Sequence, residues 1–338
     1  MDALVCVEPG KLEVRDVAGP GKATGQVLVR PKRVGICGTD YHIFEGKHPF
    51  LQYPRIMGHE LAVEVAEAPD GSGFQVGEIC AVNPYLSCGT CHACSAGKPN
   101  CCMSISVLGV HGDGGMTEML CLPVENLVRA EGLSTDACAT VEFLAIGAHA
   151  VRRGAVQCGE KVLVVGAGPI GLGAALFARI AGADVTMLDL DAERLSSVCG
   201  IAGAAPLVLP SGSAPKDVVQ CLTEGNGFDV VFDATGNGRS MEAGFDYVAH
   251  GGRLVLVSVV TSSISFSDPD FHRKEMTLIG SRNATSEDFA HVIACIRSGQ
   301  VPVERLITHR TSLHEAVENL PKWAHAKDGL IKAVIEIV

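Results

Sequence analysis

Apolar and polar positions change their rhythm once along this chain. Up to about residue 145 the apolar residues come in short runs broken by glycine and proline: Leu12-Glu13-Val14, Gln26-Val27-Leu28-Val29, Leu61-Ala62-Val63-Glu64-Val65 and Glu78-Ile79-Cys80-Ala81-Val82. Runs of that length and punctuation predict the strands of an irregular β-rich domain. From Glu160 the pattern becomes apolar strands, at 161–165, 184–188, 229–233 and 251–257, alternating with helical stretches that run through Ala181 and onward from Ala192. Continuous apolar strands with interleaved helices predict an α/β fold, a doubly wound parallel sheet covered on both faces. The last segment is patterned for helices over 286–298 and 313–323 and closes on an apolar strand, 333–338. That strand is expected to return to the first domain. The β-rich domain is then discontinuous, 1–145 with 284–338, around a nucleotide-binding domain over 146–283.

Composition narrows the classes. The chain of 338 residues is 47% hydrophobic and only 19% charged, which suits two globular domains and excludes a disordered chain. A net charge of −11 without any Lys/Arg cluster argues against a nucleic-acid or anionic-membrane partner. The first residues, Met1-Asp2-Ala3-Leu4-Val5, lack the basic and then apolar order of a signal peptide. The apolar stretch 162–178 is interrupted by glycines and Pro169 and is not read as a membrane span. With 14 cysteines, the expected compartment is the reducing cytoplasm, where thiols serve as metal ligands or core residues.

The chemistry concentrates in three places. Cys88-Gly-Thr-Cys91-His-Ala-Cys94, followed by Asn100-Cys101-Cys102, has the spacing of a four-thiolate zinc cage. Four sulfurs fill the coordination sphere, so such an ion is structural. The alternative is buried or disulfide-bonded cysteines, which two-residue spacings strain. Spacing alone leaves Cys101 and Cys102 equivalent. Second, Gly166-Ala-Gly168-Pro169-Ile170-Gly171 follows the strand 161–165 and opens a helix, the arrangement that seats a pyrophosphate on a helix N-terminus. Asp189, at the end of the next strand, stands where a carboxylate holds ribose hydroxyls and repels the extra phosphate of NADP, so NAD is expected. Asp191 is an alternative ribose partner. Third, Cys37 in Gly35-Ile-Cys37-Gly-Thr39-Asp-Tyr-His42 and the pair His59-Glu60 have metal-ligand chemistry. Taken singly, each has an ordinary core or surface explanation.

In combination and in this order, these motifs resemble the zinc-dependent medium-chain dehydrogenases, over essentially the whole chain, and within them the polyol, threonine and sugar-acid branch. The stretches Tyr53-Pro-Arg-Ile-Met-Gly-His-Glu60, 100–111, 266–272 and 280–289 are similar to the bacterial L-galactonate/L-gulonate 5-dehydrogenases. The resemblance implies a Rossmann domain plus a GroES-like catalytic domain, a catalytic zinc on Cys37, His59 and Glu60, and a structural zinc on Cys88, Cys91, Cys94 and Cys102. It implies that Glu142 lies beside the catalytic metal, although Phe143 stands where the family usually has proline. Thr39 and His42 match a proton relay. Pro169, Ile170, Arg194 and Arg282 join the glycines and Asp189 as cofactor contacts. The implied reaction is reversible oxidation of a secondary alcohol with hydride transfer to NAD, on a small polyhydroxy substrate. Arg282 and Arg55 are candidate partners for a substrate carboxylate, with His48 and His111 as neutral donors, and Tyr41, His42 and His48 are expected to make the metal loop's surroundings polar. Polyol and L-threonine 3-dehydrogenases are the nearest alternatives; a non-catalytic NAD-binding redox sensor is one of another class. Relatives form dimers or tetramers through the edge of the nucleotide-binding sheet, and the apolar strand 253–258 is compatible with that edge.

Overall fold

Pro31 sits in the middle of what becomes the longest strand of the first part, Gln26–Ile36, where a proline ordinarily argues against a strand. The structure accommodates it at a register shift between Pro31 and Arg33 against the neighbouring strand Glu60–Glu67. The strand therefore continues past Val29 and delivers Cys37 at its end. This is a computed structural model, and it describes residues 1–338 apart from 22, 48–50, 210–213, 326–328 and 338. His48, expected near the metal loop, lies outside the described residues.

The chain divides into two compact units, Met1–Phe143 with Thr285–Val338, and Leu144–Ala284. The first junction falls inside the helix Thr135–Arg153, so no composition change marks it in the sequence. In the first unit a seven-stranded sheet runs in the order Leu127–Arg129, Ile79–Val82, Glu60–Glu67, Gln26–Ile36, Lys332–Glu336, Ile307–Ser312, with Leu120–Pro123 also pairing on Gln26–Ile36. The C-terminal strand pairs antiparallel with Gln26–Ile36, setting Ala333 opposite Ile36 and Val334 opposite Gly35. Val27, Val34, Ile43, Met57, Leu61, Leu122 and Ile335 are fully buried in the core that this sheet covers.

The second unit is a six-stranded sheet, Ala205–Leu207, Asp184–Leu188, Lys161–Val165, Phe228–Asp233, Val248–Leu256 and Thr277–Gly280, every pair parallel. Numbered along the chain from Lys161–Val165, the order is 3-2-1-4-5-6, that of the dinucleotide-binding Rossmann fold. Val162, Leu163, Val164, Val230, Val231 and Phe232 are fully buried, as strands covered on both faces must be. One expectation is corrected here. The strand Val248–Leu256, which holds most of 253–258, is not an edge, since it pairs on both sides; the edge beyond it is Thr277–Gly280, with Leu278 37% exposed. An apolar run says that a strand is buried, not where it stands in the sheet.

Candidate metal and cofactor sites

The strand Gln26–Ile36 ends by handing Cys37 to a short helix, Gly38–Phe44, for which Cys37 is the N-cap. Asp40 closes the turn by accepting the Cys37 backbone N–H at 2.8 Å. Glu60 lies directly opposite Gly35 on the adjacent strand. A Cβ on Gly35 would stand 2.1 Å from Glu60 Oε2, so only glycine leaves room for that carboxylate. These two strands bring Cys37, His59 and Glu60 together, each offering one ligand atom within 4.8 Å of the others. The far end of the chain adds Lys332, 1% exposed, whose Nζ donates to both Glu60 oxygens at 2.7 and 2.8 Å and to the Ile36 carbonyl at 3.2 Å. The same Nζ sits 4.5 Å from the centre of the Phe143 ring, so the residue that departs from the family pattern packs on the lysine.

Beside this cluster stands Glu142, 2% exposed, on the helix Thr135–Arg153. Its Oε1 accepts the Tyr85 hydroxyl. Burial pushes the Glu142 carboxyl up to about 7, with Glu60 adding to the rise while His59 and Lys332 oppose it. Burial likewise raises Asp40. For His59 burial works against the charged ring, but the Cys37 sulfur, Asp40 and Glu142 outweigh it and hold the imidazole well above its ordinary range.

Do these residues fit a zinc ion? Cys37, His59 and Glu60 converge a sulfur, an imidazole nitrogen and a carboxylate oxygen within 4.8 Å of one another, with His59 and Glu60 buried. His59 Nδ1 and Glu142 Oε2 are buried without a hydrogen-bond partner among the described residues. Thiolate, imidazole and carboxylate together are zinc donors. They fit. Thr39 is half-buried and His42 exposed, three residues apart on one face of the same short helix.

The four-cysteine loop makes a second cluster. Cys88, Cys91, Cys94 and Cys102 offer sulfurs within 4.8 Å of one another, with Cys88–Cys102 and Cys91–Cys94 at 3.5 Å and Cys91–Cys102 at 3.9 Å. A tetrahedron with Zn–S of about 2.3 Å has edges of about 3.8 Å. None of the four is disulfide-bonded. Backbone N–H groups of Cys91 and Ser104 point at Cys88 and Cys102 sulfurs, at 3.4 Å each. Donors from the Thr90 and Cys91 backbone pull the Cys88 thiol down to about 6, toward the thiolate that a metal needs. Cys101 is exposed and outside the group.

In the second unit Gly168 caps the helix Pro169–Ile180, with Ile170 as its second residue. A Cβ on Gly168 would meet nothing within 4 Å, whereas one on Gly171 would stand 1.8 Å from the Gly166 carbonyl oxygen. The turn is thus closed tightly on itself and open outward, a cradle for a phosphate. Asp189 anchors it, accepting the Ala167 N–H at 2.6 Å through one oxygen and the Asp191 N–H at 2.9 Å through the other. Asp191 caps the next helix by accepting the Arg194 N–H at 3.0 Å, which gives it a structural task. Arg282 is exposed just past the edge strand.

Other expected polar groups have partners of their own. Tyr41 is 6% exposed, and its ring packs in the core while burial, with the nearby charges of Asp40 and Glu60, pushes its hydroxyl up. Arg55 pairs with Asp113 at 3.2 Å, and His111 Nδ1 accepts the Val107 N–H at 3.0 Å. Lys332 and Tyr85 were not anticipated: a lysine opening an apolar strand and a tyrosine before a cysteine loop carry no signal that names a partner. Among the described residues no helix is long and apolar enough to cross a membrane.

Comparison with known proteins follows the same division. Residues 23–132 match the family model of the alcohol dehydrogenase GroES-like domain, and residues 169–298 that of zinc-binding dehydrogenase. The chain is 41% identical to L-galactonate-5-dehydrogenase of Escherichia coli (strain K12), over 99% of this chain and 98% of the relative. It is 30% identical to 2-dehydro-3-deoxy-L-galactonate 5-dehydrogenase of Pseudoalteromonas atlantica, over 92% of each. A crystal structure described as a short chain alcohol dehydrogenase from E. coli CFT073, complexed with NADH, matches at a TM-score of 0.92 and 28% identity, over 100% of this chain and 99% of that one. With both domains matched in order and a relative of this identity along its full length, the chain belongs to the zinc-binding dehydrogenases of the medium-chain alcohol dehydrogenase family and is an enzyme.

Proposed function

We propose that this enzyme oxidises a secondary alcohol of a sugar acid, of the L-galactonate/L-gulonate type at C5, to the ketone, with NAD as hydride acceptor. The observation that carries the substrate class is the 41% identity, along 99% of the chain, to a protein named L-galactonate-5-dehydrogenase. Cys37, His59 and Glu60 would hold the catalytic zinc, Cys88, Cys91, Cys94 and Cys102 the structural one, and the Gly166–Gly171 turn with Asp189 the dinucleotide. Zinc supplies a Lewis acid that lowers the pKa of an alcohol hydroxyl, and the nicotinamide supplies the hydride acceptor. Thr39 relays the released proton, accepting it at its hydroxyl oxygen and passing its own hydroxyl proton on toward exposed His42, one turn on, which exchanges it with solvent. Lys332 holds the Glu60 carboxylate in place by donating to both of its oxygens. The cytoplasm as location and a homodimer or homotetramer as assembly complete the reading, with neither nucleic acid nor membrane as partner.

An NAD-coupled screen of the purified protein against L-galactonate, L-gulonate, sorbitol, L-threonine and ethanol tests it. One of the two aldonates should exceed every other substrate in kcat/KM by about tenfold or more. Sorbitol or threonine in first place moves the enzyme to a neighbouring branch; ethanol in first place removes the sugar-acid reading.

A further inference from the structure

Tyr85 joins two parts of the first unit that the motifs leave unconnected. It lies in the short strand Tyr85–Leu86, which pairs antiparallel with Ser106–Val107 and so closes the base of the loop carrying all four clustered cysteines. Its backbone is tied on both sides: the N–H donates to Asn83 Oδ1 at 3.1 Å, and the carbonyl accepts from Asn126 Nδ2 at 3.4 Å. The ring, 7% exposed, meets Phe289 edge-on with centroids 6.5 Å apart. Held in this way, the hydroxyl has one side-chain partner among the described residues, Glu142 Oε1.

We propose that Tyr85 is a positioning residue of the catalytic pocket, fixing the Glu142 carboxylate by one oxygen and keeping the other available to the Cys37–His59–Glu60 cluster. The proposal rests on the reading of that cluster as a metal pocket. A buried carboxylate with two equivalent oxygens has no reason of its own to present one of them; a single donor on a rigid ring supplies the reason. Because Tyr85 stands in the strand pair that closes the cysteine loop, the loop's order becomes a condition for the carboxylate's order. That gives the four-cysteine cluster an influence on the Cys37–His59–Glu60 cluster, without any ligand in common.

Tyr85→Phe keeps the ring and its contact with Phe289 and deletes the donor. It should lower kcat/KM about tenfold to a hundredfold, the range found when outer partners of metal sites are removed, mostly in kcat. The readout that separates positioning from mere packing is spectroscopic: in protein loaded with two cobalt(II) ions per chain, the visible d–d bands of the catalytic site should shift in Tyr85→Phe. In a Glu142→Gln background the same substitution should add nothing, because its partner is already altered. Unchanged bands and unchanged kcat/KM in Tyr85→Phe on a two-cobalt protein overturn the proposal alone. A wild-type chain that takes up one cobalt instead of two sinks the pocket reading, and the proposal with it. Additive losses in the double variant also overturn it, since Tyr85 would then act by another route.

Discussion

The two donor clusters of the first unit are built in opposite ways. The four thiols come from one short loop, lie partly at the surface, and receive hydrogen bonds from that loop's own backbone. Cys37, His59 and Glu60 lie in a buried pocket whose partners arrive from far along the chain: Tyr85 reaches Glu142 across 57 residues, and Lys332 reaches Glu60 across 272. One is local and chemically uniform; the other is a product of tertiary structure with mixed donors. Four sulfurs leave an ion no position for a substrate, whereas three mixed donors with a neighbouring carboxylate leave one open. The difference teaches that the first cluster holds shape and the second does chemistry, and each half of that statement can be broken.

The largest expected effect comes from removing one donor from each. Cys37→Ser should cost roughly a thousandfold or more in kcat/KM, since loss of the Lewis acid removes several kcal/mol of stabilisation, while zinc falls from two ions per chain to one. Its unfolding midpoint should fall less than that of the structural-site variant. Cys102→Ser should also lose one ion, but its main cost is in stability, because a structural site contributes folding energy directly. Metal analysis, thermal unfolding and kinetics on the two variants form a crossed pair. An active Cys37→Ser protein with both ions, or a Cys102→Ser protein as stable as the parent, would erase the distinction.

A second, smaller effect isolates how the buried pocket is kept charged. Lys332→Met retains the bulk of the side chain and leaves Glu60 without its counter-charge. Removing one partner of a buried pair costs about 3–5 kcal/mol, so metal-free protein should lose stability of that order in chemical denaturation. A bound dication replaces the missing charge, and the loss should therefore shrink when zinc is restored. Equal losses with and without zinc would mean that Glu60 does not face the metal.

Much of the frame was legible in the sequence. The strand at 161–165 and the one at 184–188 coincide with the observed strands, because strands buried on both faces are short, largely apolar runs that stand out from the helices between them. Cys88, Cys91 and Cys94, the glycine turn and Asp189 were legible for a similar reason: each works through spacing within a few dozen residues. What spacing cannot carry is a pairing between distant segments. Lys332 looks like the polar start of a strand, and nothing near it in sequence says that its ammonium ends buried on Glu60. Phe143 was visible only as a departure from a pattern, and its contact with Lys332 supplies the compensation. Tyr41 was legible only in part: its hydroxyl lies within reach of the charges of Asp40 and Glu60, but nothing in the spacing said that its ring packs in the core with Ile43 and Phe44.

The smallest effect sharpens the comparison where spacing was silent, at Cys101 and Cys102. Both thiols would serve a zinc ion equally. The turn decides between them: Pro99–Cys101 forms a single 3₁₀ turn, after which Cys102 takes an extended conformation, φ −52° and ψ 134°, and aims inward. There its sulfur accepts the Cys88 and Ser104 N–H groups at 3.3 and 3.4 Å, while Cys101 is left exposed. Cys101→Ser should therefore retain both ions and stay within about 0.5 kcal/mol of the parent, as surface substitutions do. Metal analysis beside Cys102→Ser reads the result directly. Were Cys101→Ser to lose an ion as well, the loop would be sharing its fourth position between neighbours. A cluster that shares a ligand is not the rigid local cage described above, and the contrast with the buried pocket would then rest on position in the fold alone.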